Sequence, residues 1–409
     1  MAALARSPLA PAALPVLPPI AGVTLAAAQA GIRYQGRTDL LLVALTAGTT
    51  AAGVFTRSKA PSAPVDWCRS VLATATARAL VVNSGNANAF TGKRGVEAVE
   101  GTVQAVQSTL GCAQAQVYIA STGVIGEPLN HQKIAAALPA LQSSLAADRW
   151  ADAAAAIMTT DTFPKAATRQ LLLGGKTVTI NGIAKGSGMI APDMATMLAF
   201  VFTDAQVEAP LLQSMLQQST QQSFNAITVD GDTSTSDTAL LFATGTAGVA
   251  VTAHSPEAAA FHAALTSLMI ELAQLIVMDG EGAQKLITIR ITGAESDEAA
   301  RRIGLAIGNS PLVKTAVAGE DANWGRIVMA VGKSGERVER DLLKVSIGGV
   351  VIAEQGERVA AYDEAPVAAH MKTRDIALAV DIGLGQGSAT VWSCDLTHGY
   401  IDINADYRS

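Results

Sequence analysis

Aromatic residues make up only 4% of this 409-residue chain and charged residues only 16%. The net charge is −6 at neutral pH and no basic cluster occurs, so the electrostatic footprint that nucleic acid requires is missing. Cysteine is scarce. Cys68, Cys112 and Cys394 are odd in number, widely spaced and without a neighbouring histidine, which fits neither a disulfide framework nor a zinc site and suits a reducing cytoplasm. The five histidines (His131, His254, His262, His370, His398) form no H-E-x-x-H, so structural roles outrank metal ligation, and no G-x-S-x-G elbow is present for an assisted serine. Uninterrupted apolar runs such as Ala195 to Phe202 fall well short of the ~20 residues of a spanning helix, and no membrane is expected. No acidic residue precedes Asp39, a bias shared with transit peptides. Yet Pro8, Pro11, Pro15, Pro18 and Pro19 break any amphipathic helix there, and residues 1–18 read as a loose arm.

What is present is an apolar, glycine-rich chain long enough for two domains, with small molecules as the expected partners. Short apolar runs alternate with longer helical periodicities. Strands are expected at Leu40–Thr46, Ala79–Asn83, Gln116–Ala120, Thr168–Leu172, Thr177–Ile180, Met197–Thr203 and Ala239–Thr244. Further strands are expected at Leu286–Thr292, Arg326–Val331, Leu343–Ile347, Ile376–Ile382 and Ala389–Cys394. Helices are expected at Gly95–Leu110, His131–Ser143, Trp150–Met158, Ala209–Phe224, Pro256–Val277 and Ala294–Gly304. Mixed sheets covered by helices fit this pattern better than a doubly wound parallel sheet. The glycine turn Asp279-Gly280-Glu281-Gly282 marks a domain boundary, giving residues 1–285 and 286–409.

The most informative run is Lys185-Gly186-Ser187-Gly188-Met189-Ile190-Ala191-Pro192-Asp193-Met194-Ala195-Thr196, followed by the apolar Met197 to Phe202. A threonine hydroxyl is a poor nucleophile unless a base sits beside it. Cutting the Ala195–Thr196 bond supplies one, because the new α-amine, of pKa about 8, can accept the proton. Two other readings stand beside this one. Thr196 can be an ordinary β-former after a glycine turn, or Gly186-Ser187-Gly188 can open a dinucleotide loop. The latter needs a helix where residues 197–202 read as a buried strand.

Four other segments carry chemistry-bearing residues. Ser121-Thr122-Gly123-Val124-Ile125-Gly126 follows a strand and can aim backbone N–H groups at an oxyanion, or merely turn the chain. Thr159-Thr160-Asp161-Thr162 can bind an amino acid or cap the next element. Thr228 to Thr238 reads as a polar network rather than a calcium loop, since the distal glutamate is absent. Glu281 can hold an ammonium group or sit exposed after a helix C-cap.

Taken in order, these segments resemble the ornithine acetyltransferase family of arginine biosynthesis, also called the bifunctional glutamate N-acetyltransferase family. The resemblance runs through Asn83-Ser84-Gly85-Asn86-Ala87-Asn88-Ala89, the segments above, Val313-Lys314-Thr315-Ala316, Asn323-Trp324-Gly325-Arg326 and Asn404-Ala405-Asp406-Tyr407. It covers essentially the whole chain from about residue 19. It implies an α/β sandwich, two sheets between helix layers, with a smaller C-terminal α/β domain. It implies cleavage between Ala195 and Thr196 into chains 1–195 and 196–409, associated as two copies of each. Thr196 is then the nucleophile, Thr122 and Gly123 are the oxyanion stabilisers, and Thr159 (or the adjacent Thr160), Lys185, Thr196, Glu281, Asn404 and Ser409 contact substrate. The implied reaction moves acetyl from N-acetylornithine to glutamate through an acetyl-threonine ester, with acetyl-CoA a second donor in some members. No metal or redox cofactor is implied. Lys185 and Glu281 are expected to hold the shared amino-acid end of both substrates as an opposite-charge pair. The sequence departs from the family where Ser187, Asp193 and Ser236 replace the commoner alanine, asparagine and asparagine, and where Phe90 replaces a cysteine. The rival activity is that of a related N-terminal-threonine amidohydrolase or aminopeptidase, in which water replaces glutamate.

Overall fold

The computed structural model describes residues 5–191 and 197–405, so Asp193, the Ala195–Thr196 bond and Ser409 lie outside the described residues. The first strands are β1 (Val23–Ala28), β2 (Leu40–Phe55), β3 (Thr76–Asn86), β4 (Val117–Val124), β5 (Lys165–Leu173) and β6 (Lys176–Lys185). Beyond the undescribed stretch come β7 (Leu198–Thr203), β8 (Gln206–Val207), β9 (Thr238–Ala243) and β10 (Ala250–Val251). The C-terminal part adds β11 (Leu286–Ala294), β12 (Lys344–Ile347), β13 (Val350–Glu354), β14 (Glu357–Arg358), β15 (Asp375–Asp381) and β16 (Gly387–Cys394).

The main sheet runs β4-β3-β2-β9-β7-β6-β5, with β1 also on β2. It is mixed: β3 and β4, and β7 and β9, are parallel, whereas β2 is antiparallel to both β3 and β9. The 16-residue β2 joins the two halves, and its register against β3 shifts between Ala44 and Thr49. Alternation along each strand then builds layers. Leu41, Val43, Leu80, Val82, Phe200, Phe202, Leu240 and Phe242 point into one central cluster shared by both halves. There Tyr118 meets Phe242 edge-on at 5.6 Å, so a strand at one end of the sheet touches one from its middle. The halves therefore face each other as a sandwich. Their outer faces, Leu40, Leu42, Ala79 and Val81 on one side and Ala199, Val201, Ala239 and Leu241 on the other, are covered by helices. Helices Gly92–Leu110 and His131–Ser143 cover the first, and helices Ala209–Gln222 and Pro256–Met278 the second.

Helix Pro256–Met278 spans 23 residues and is long and apolar enough to cross a membrane by length and composition. Uninterrupted runs alone did not disclose it, because His262, Thr266, Ser267 and Glu271 break the apolar stretch. Here its Phe261, Leu265, Leu268, Met269, Leu272 and Ile276 pack into the outer core. Gly174 and Gly175, both at positive φ, form the hairpin that joins β5 to β6.

A six-stranded sheet, β14-β13-β12-β15-β11-β16, has its own apolar cluster under helix Asp297–Gly308. One expected strand, Arg326–Val331, is instead helix Trp324–Gly332. The Asn323 side chain accepts from Arg326 N at 3.3 Å as an N-cap, and Ile327, Ala330 and Val331 recur at helical spacing on the buried face.

Candidate active site

The ends of β4 and β6, the start of β7, and two loops converge at one end of the sandwich. Thr122 and Gly123 close β4, where Asn86 pairs with both Thr122 and Val124 in a bulge. Gly123 lies at φ +129°, and a Cβ there would approach Asn86 N at 2.6 Å, so only glycine fits. The bulge is braced from the Asn83 to Asn88 segment: Ser121 Oγ donates to Asn83 Oδ1 at 2.6 Å, and Asn83 Nδ2 donates to the Asn86 carbonyl at 2.8 Å. Sequence reasoning noted that segment without giving it a role.

Lys185, the last residue of β6, is buried and its ammonium joins two of the candidate residues. Nζ donates to Thr122 Oγ1 at 3.2 Å and to Thr159 Oγ1 at 2.8 Å. Thr159 rather than Thr160 thus meets the lysine, whereas Thr160 acts on Glu281. Burial pushes the Lys185 ammonium down in pKa, and the cation of Lys165 pushes the same way, against the carboxylates of Asp161, Glu281 and Asp237.

Beneath Lys185 lies a buried charge network that the sequence did not disclose. Lys165 Nζ sits 2.6 Å from both Asp161 Oδ1 and Asp279 Oδ2, with all three side chains excluded from solvent. Asp161 also accepts from Gly186 N at 2.7 Å and Thr159 N at 2.9 Å, and Asp279 accepts from Thr162 N at 2.9 Å. Asp161 is therefore neither a substrate ligand nor a simple cap. Burial alone favours its neutral form, but the ammonium groups of Lys165 and Lys185 outweigh this and hold its pKa low. For Lys165 the two carboxylates outweigh burial and raise its pKa.

Glu281 is only 8% exposed, which removes the reading of an exposed residue after a C-cap. Its backbone N–H donates to the Ser187 carbonyl at 3.1 Å, and a Cβ on Gly188 would fall on its carboxylate. Gly282, at φ +76°, lets the chain near Tyr400 come so close that a Cβ would lie 2.5 Å from Tyr400 N. That approach seats helix His398–Asn404, and Asn404 Nδ2 donates to Glu281 Oε2 at 2.7 Å. Burial raises the Glu281 carboxyl in pKa, while Asn404 and Thr160 favour its ionised form. Lys185 and Glu281 influence each other electrostatically, but their described hydrogen bonds go to different partners. They flank the site rather than forming a contact pair.

The acids of the 228–238 segment hold the neighbouring loop. Asp230 accepts from Met189 N at 2.6 Å and Ile190 N at 2.8 Å, fixing Met189 at φ +58°, and Thr228 Oγ1 donates to the Ile190 carbonyl. Among the described residues no group of three or more His, Cys, Asp or Glu is placed to hold a metal ion. A cavity of about 1070 Å³ lies elsewhere, bordered by Gln218, Gln222, Arg290 and Trp392. None of the candidate residues lines it, so the site is assigned from converging chemistry rather than from cavity size. Residues 198–203 form strand β7 and not a helix, so Gly186-Ser187-Gly188 lacks the setting of a dinucleotide loop.

An α/β sandwich that gathers a lysine, a carboxylate, an amide and paired hydroxyls at one buried end has the equipment of an enzyme for small polar molecules. The ArgJ family model matches residues 24–409. The chain is 59% identical over 406 residues to the arginine biosynthesis bifunctional protein ArgJ of Gluconobacter oxydans, covering 98% of this chain and 96% of that protein. It is 56% identical to the protein of the same name from Agrobacterium fabrum, over 99% of this chain and all of the other. The crystal structure of ArgJ from Bacillus halodurans matches with a TM-score of 0.50 at 41% identity, covering 51% of this chain and 98% of that one. The chain belongs to the ArgJ family.

Proposed function

We propose that this chain cleaves itself before Thr196 and then transfers acetyl from N-acetylornithine to glutamate, as an ornithine acetyltransferase and glutamate N-acetyltransferase of arginine biosynthesis. The observation that carries the reading is the Lys185 ammonium bonded to both the Thr122 and Thr159 hydroxyls, with Glu281 across the site. In self-cleavage the Thr196 hydroxyl adds to the Ala195 carbonyl, the C–N bond breaks to give an ester and free the Thr196 α-amine, and water then hydrolyses the ester to the Ala195 carboxylate and the Thr196 hydroxyl. In turnover that amine takes the hydroxyl proton as Oγ attacks the acetyl carbonyl. Thr122 and Gly123 stabilise the oxyanion, the proton passes to the departing ornithine nitrogen, and glutamate reverses the steps. Lys185 and Thr159 serve the carboxylate of either amino acid and Glu281 with Asn404 its α-nitrogen; Ser409 completes the contact set.

The mature protein is two chains, 1–195 and 196–409, assembled as two copies of each. Support for their association is structural: β7 lies between β6 and β9, so the cut leaves ladders that tie the two pieces together. The solved Bacillus chain, almost all of it matched, spans about half of this one, which supports a two-chain protein. The separate apolar cluster of the six-stranded sheet supports two units divided at residue 285. Three free, buried cysteines suit a cytoplasmic setting. The chemistry requires no metal or redox cofactor, and acetyl-CoA is a second donor able to acylate the same threonine.

Product analysis tests the transfer. With N-acetylornithine and isotopically labelled glutamate, labelled N-acetylglutamate and free ornithine are expected in equal amounts. Free acetate in place of N-acetylglutamate contradicts the reading and indicates the amidohydrolase.

A further inference from the structure

Asp237 is fully buried and takes no part in the substrate contacts above. It immediately precedes Thr238, which opens β9 opposite Leu198 of β7. Its Oδ1 accepts from Met197 N at 2.9 Å, and the next amide, Thr238 N–H, donates to the Met197 carbonyl at 3.2 Å. Met197 is thus gripped at both ends of its backbone by consecutive residues. Strand pairing needs only the backbone half of that grip. The carboxyl is an addition, and its Oδ2 has no hydrogen-bond partner among the described residues. The nearby Thr56 hydroxyl donates to the Ser234 carbonyl at 2.6 Å and also favours the ionised form of the Asp237 carboxyl. A buried carboxyl left partly unmatched is unfavourable for folding and calls for another reason to be there.

The amide that Oδ1 holds is the peptide nitrogen joining Met197 to Thr196, so fixing it fixes the covalent anchor of the Thr196 hydroxyl and α-nitrogen. We propose that Asp237 is a positioning residue for the nucleophile, acting through its grip on the Thr196–Met197 peptide in self-cleavage and in acetyl transfer. The inference rests on the function proposed above. Positioning carries a large share of such rates, since a shift of about 1 Å in a reacting group can cost ~10²-fold. Burial pushes the Asp237 carboxyl well up, against the opposing pull of the Met197 N–H, the Lys185 ammonium and the Thr56 hydroxyl. Asparagine keeps an acceptor oxygen in the same place, so it copies the hold on the Met197 N–H.

The test compares Asp237→Asn and Asp237→Ala in the full chain, following self-cleavage by intact mass after cell-free synthesis. Asp237→Ala is expected to slow the cut by about tenfold or more, and Asp237→Asn to restore it to near the wild-type rate. In cleaved material, Asp237→Ala is expected to lower kcat with the KM for N-acetylornithine unchanged. Should the alanine chain fail to fold, Asp237→Val, which fills more of the space and carries no acceptor, replaces it. Equal rates for Asp237→Ala and wild type overturn the inference, as does an asparagine variant as slow as the alanine one. A wild-type chain that never cuts overturns the proposed function itself.

Discussion

At the scale of single residues, the site depends on groups whose environment differs sharply from water. Gly123 has both a positive φ and backbone packed against its α-carbon, so Gly123→Ala forces the β4 bulge apart. Its kcat is predicted to fall by about 10²-fold or more if that turn stabilises the oxyanion, while circular dichroism shows a folded protein. Asn404 favours the ionised form of Glu281, whose pKa burial raises. Removing the amide in Asn404→Ala therefore raises the Glu281 pKa further. The acid limb of kcat/KM is predicted to move to higher pH, because the ionised carboxylate is the form that accepts from the substrate's α-nitrogen. Lys185, Thr159, Thr122 and Glu281 were named through the chain-wide resemblance, and the fold brings them to one end of the sandwich. The buried pairing of Asp161 and Asp279 with Lys165 and the hold of Asp237 on Met197 were not legible, because these partners are brought together only by the fold; Lys165 and Asp279 are separated by 114 residues.

At the scale of elements, the buried Asp161–Lys165–Asp279 network ties the loop after helix Trp150–Ala156, the first residue of β5 and the end of helix Pro256–Met278. Lys165→Met leaves two buried carboxylates without their cation. A loss of about 3–5 kcal/mol is predicted from denaturant unfolding. The elements themselves were largely legible where periodicity was strong: β7 and β9 alternate between two cores, as short apolar runs with branched and aromatic residues should. Arg326–Val331 misled because a one-turn apolar spacing and a short apolar run look alike, and only the Asn323 cap distinguishes them. Strand β1 and helices Ala63–Val71 and His398–Asn404 were missed; the first is a six-residue run ending in three alanines, the others lack a long repeat.

At the scale of the whole molecule, the arrangement of strands decides what a single cut can do. Residues on either side of the undescribed stretch supply adjacent strands of one sheet and fill one central cluster. The two pieces are predicted to co-elute on gel filtration and to part only in denaturant. The C-terminal helix His398–Asn404, by contrast, has no buried residue although it delivers Asn404 to Glu281. Ending the chain after Thr397 is predicted to leave Tm nearly unchanged while raising the KM for both amino-acid substrates. The sandwich was legible from the chain-wide resemblance, whereas its dependence on one bent 16-residue strand, β2, required the register of its neighbours. The central claim is that the Ala195–Thr196 bond is cut to make both the nucleophile and its base. The intact mass of the purified protein tests it most directly. Two fragments are expected, one ending at Ala195 and one beginning at Thr196; a full-length chain with undiminished acetyl transfer contradicts the cut.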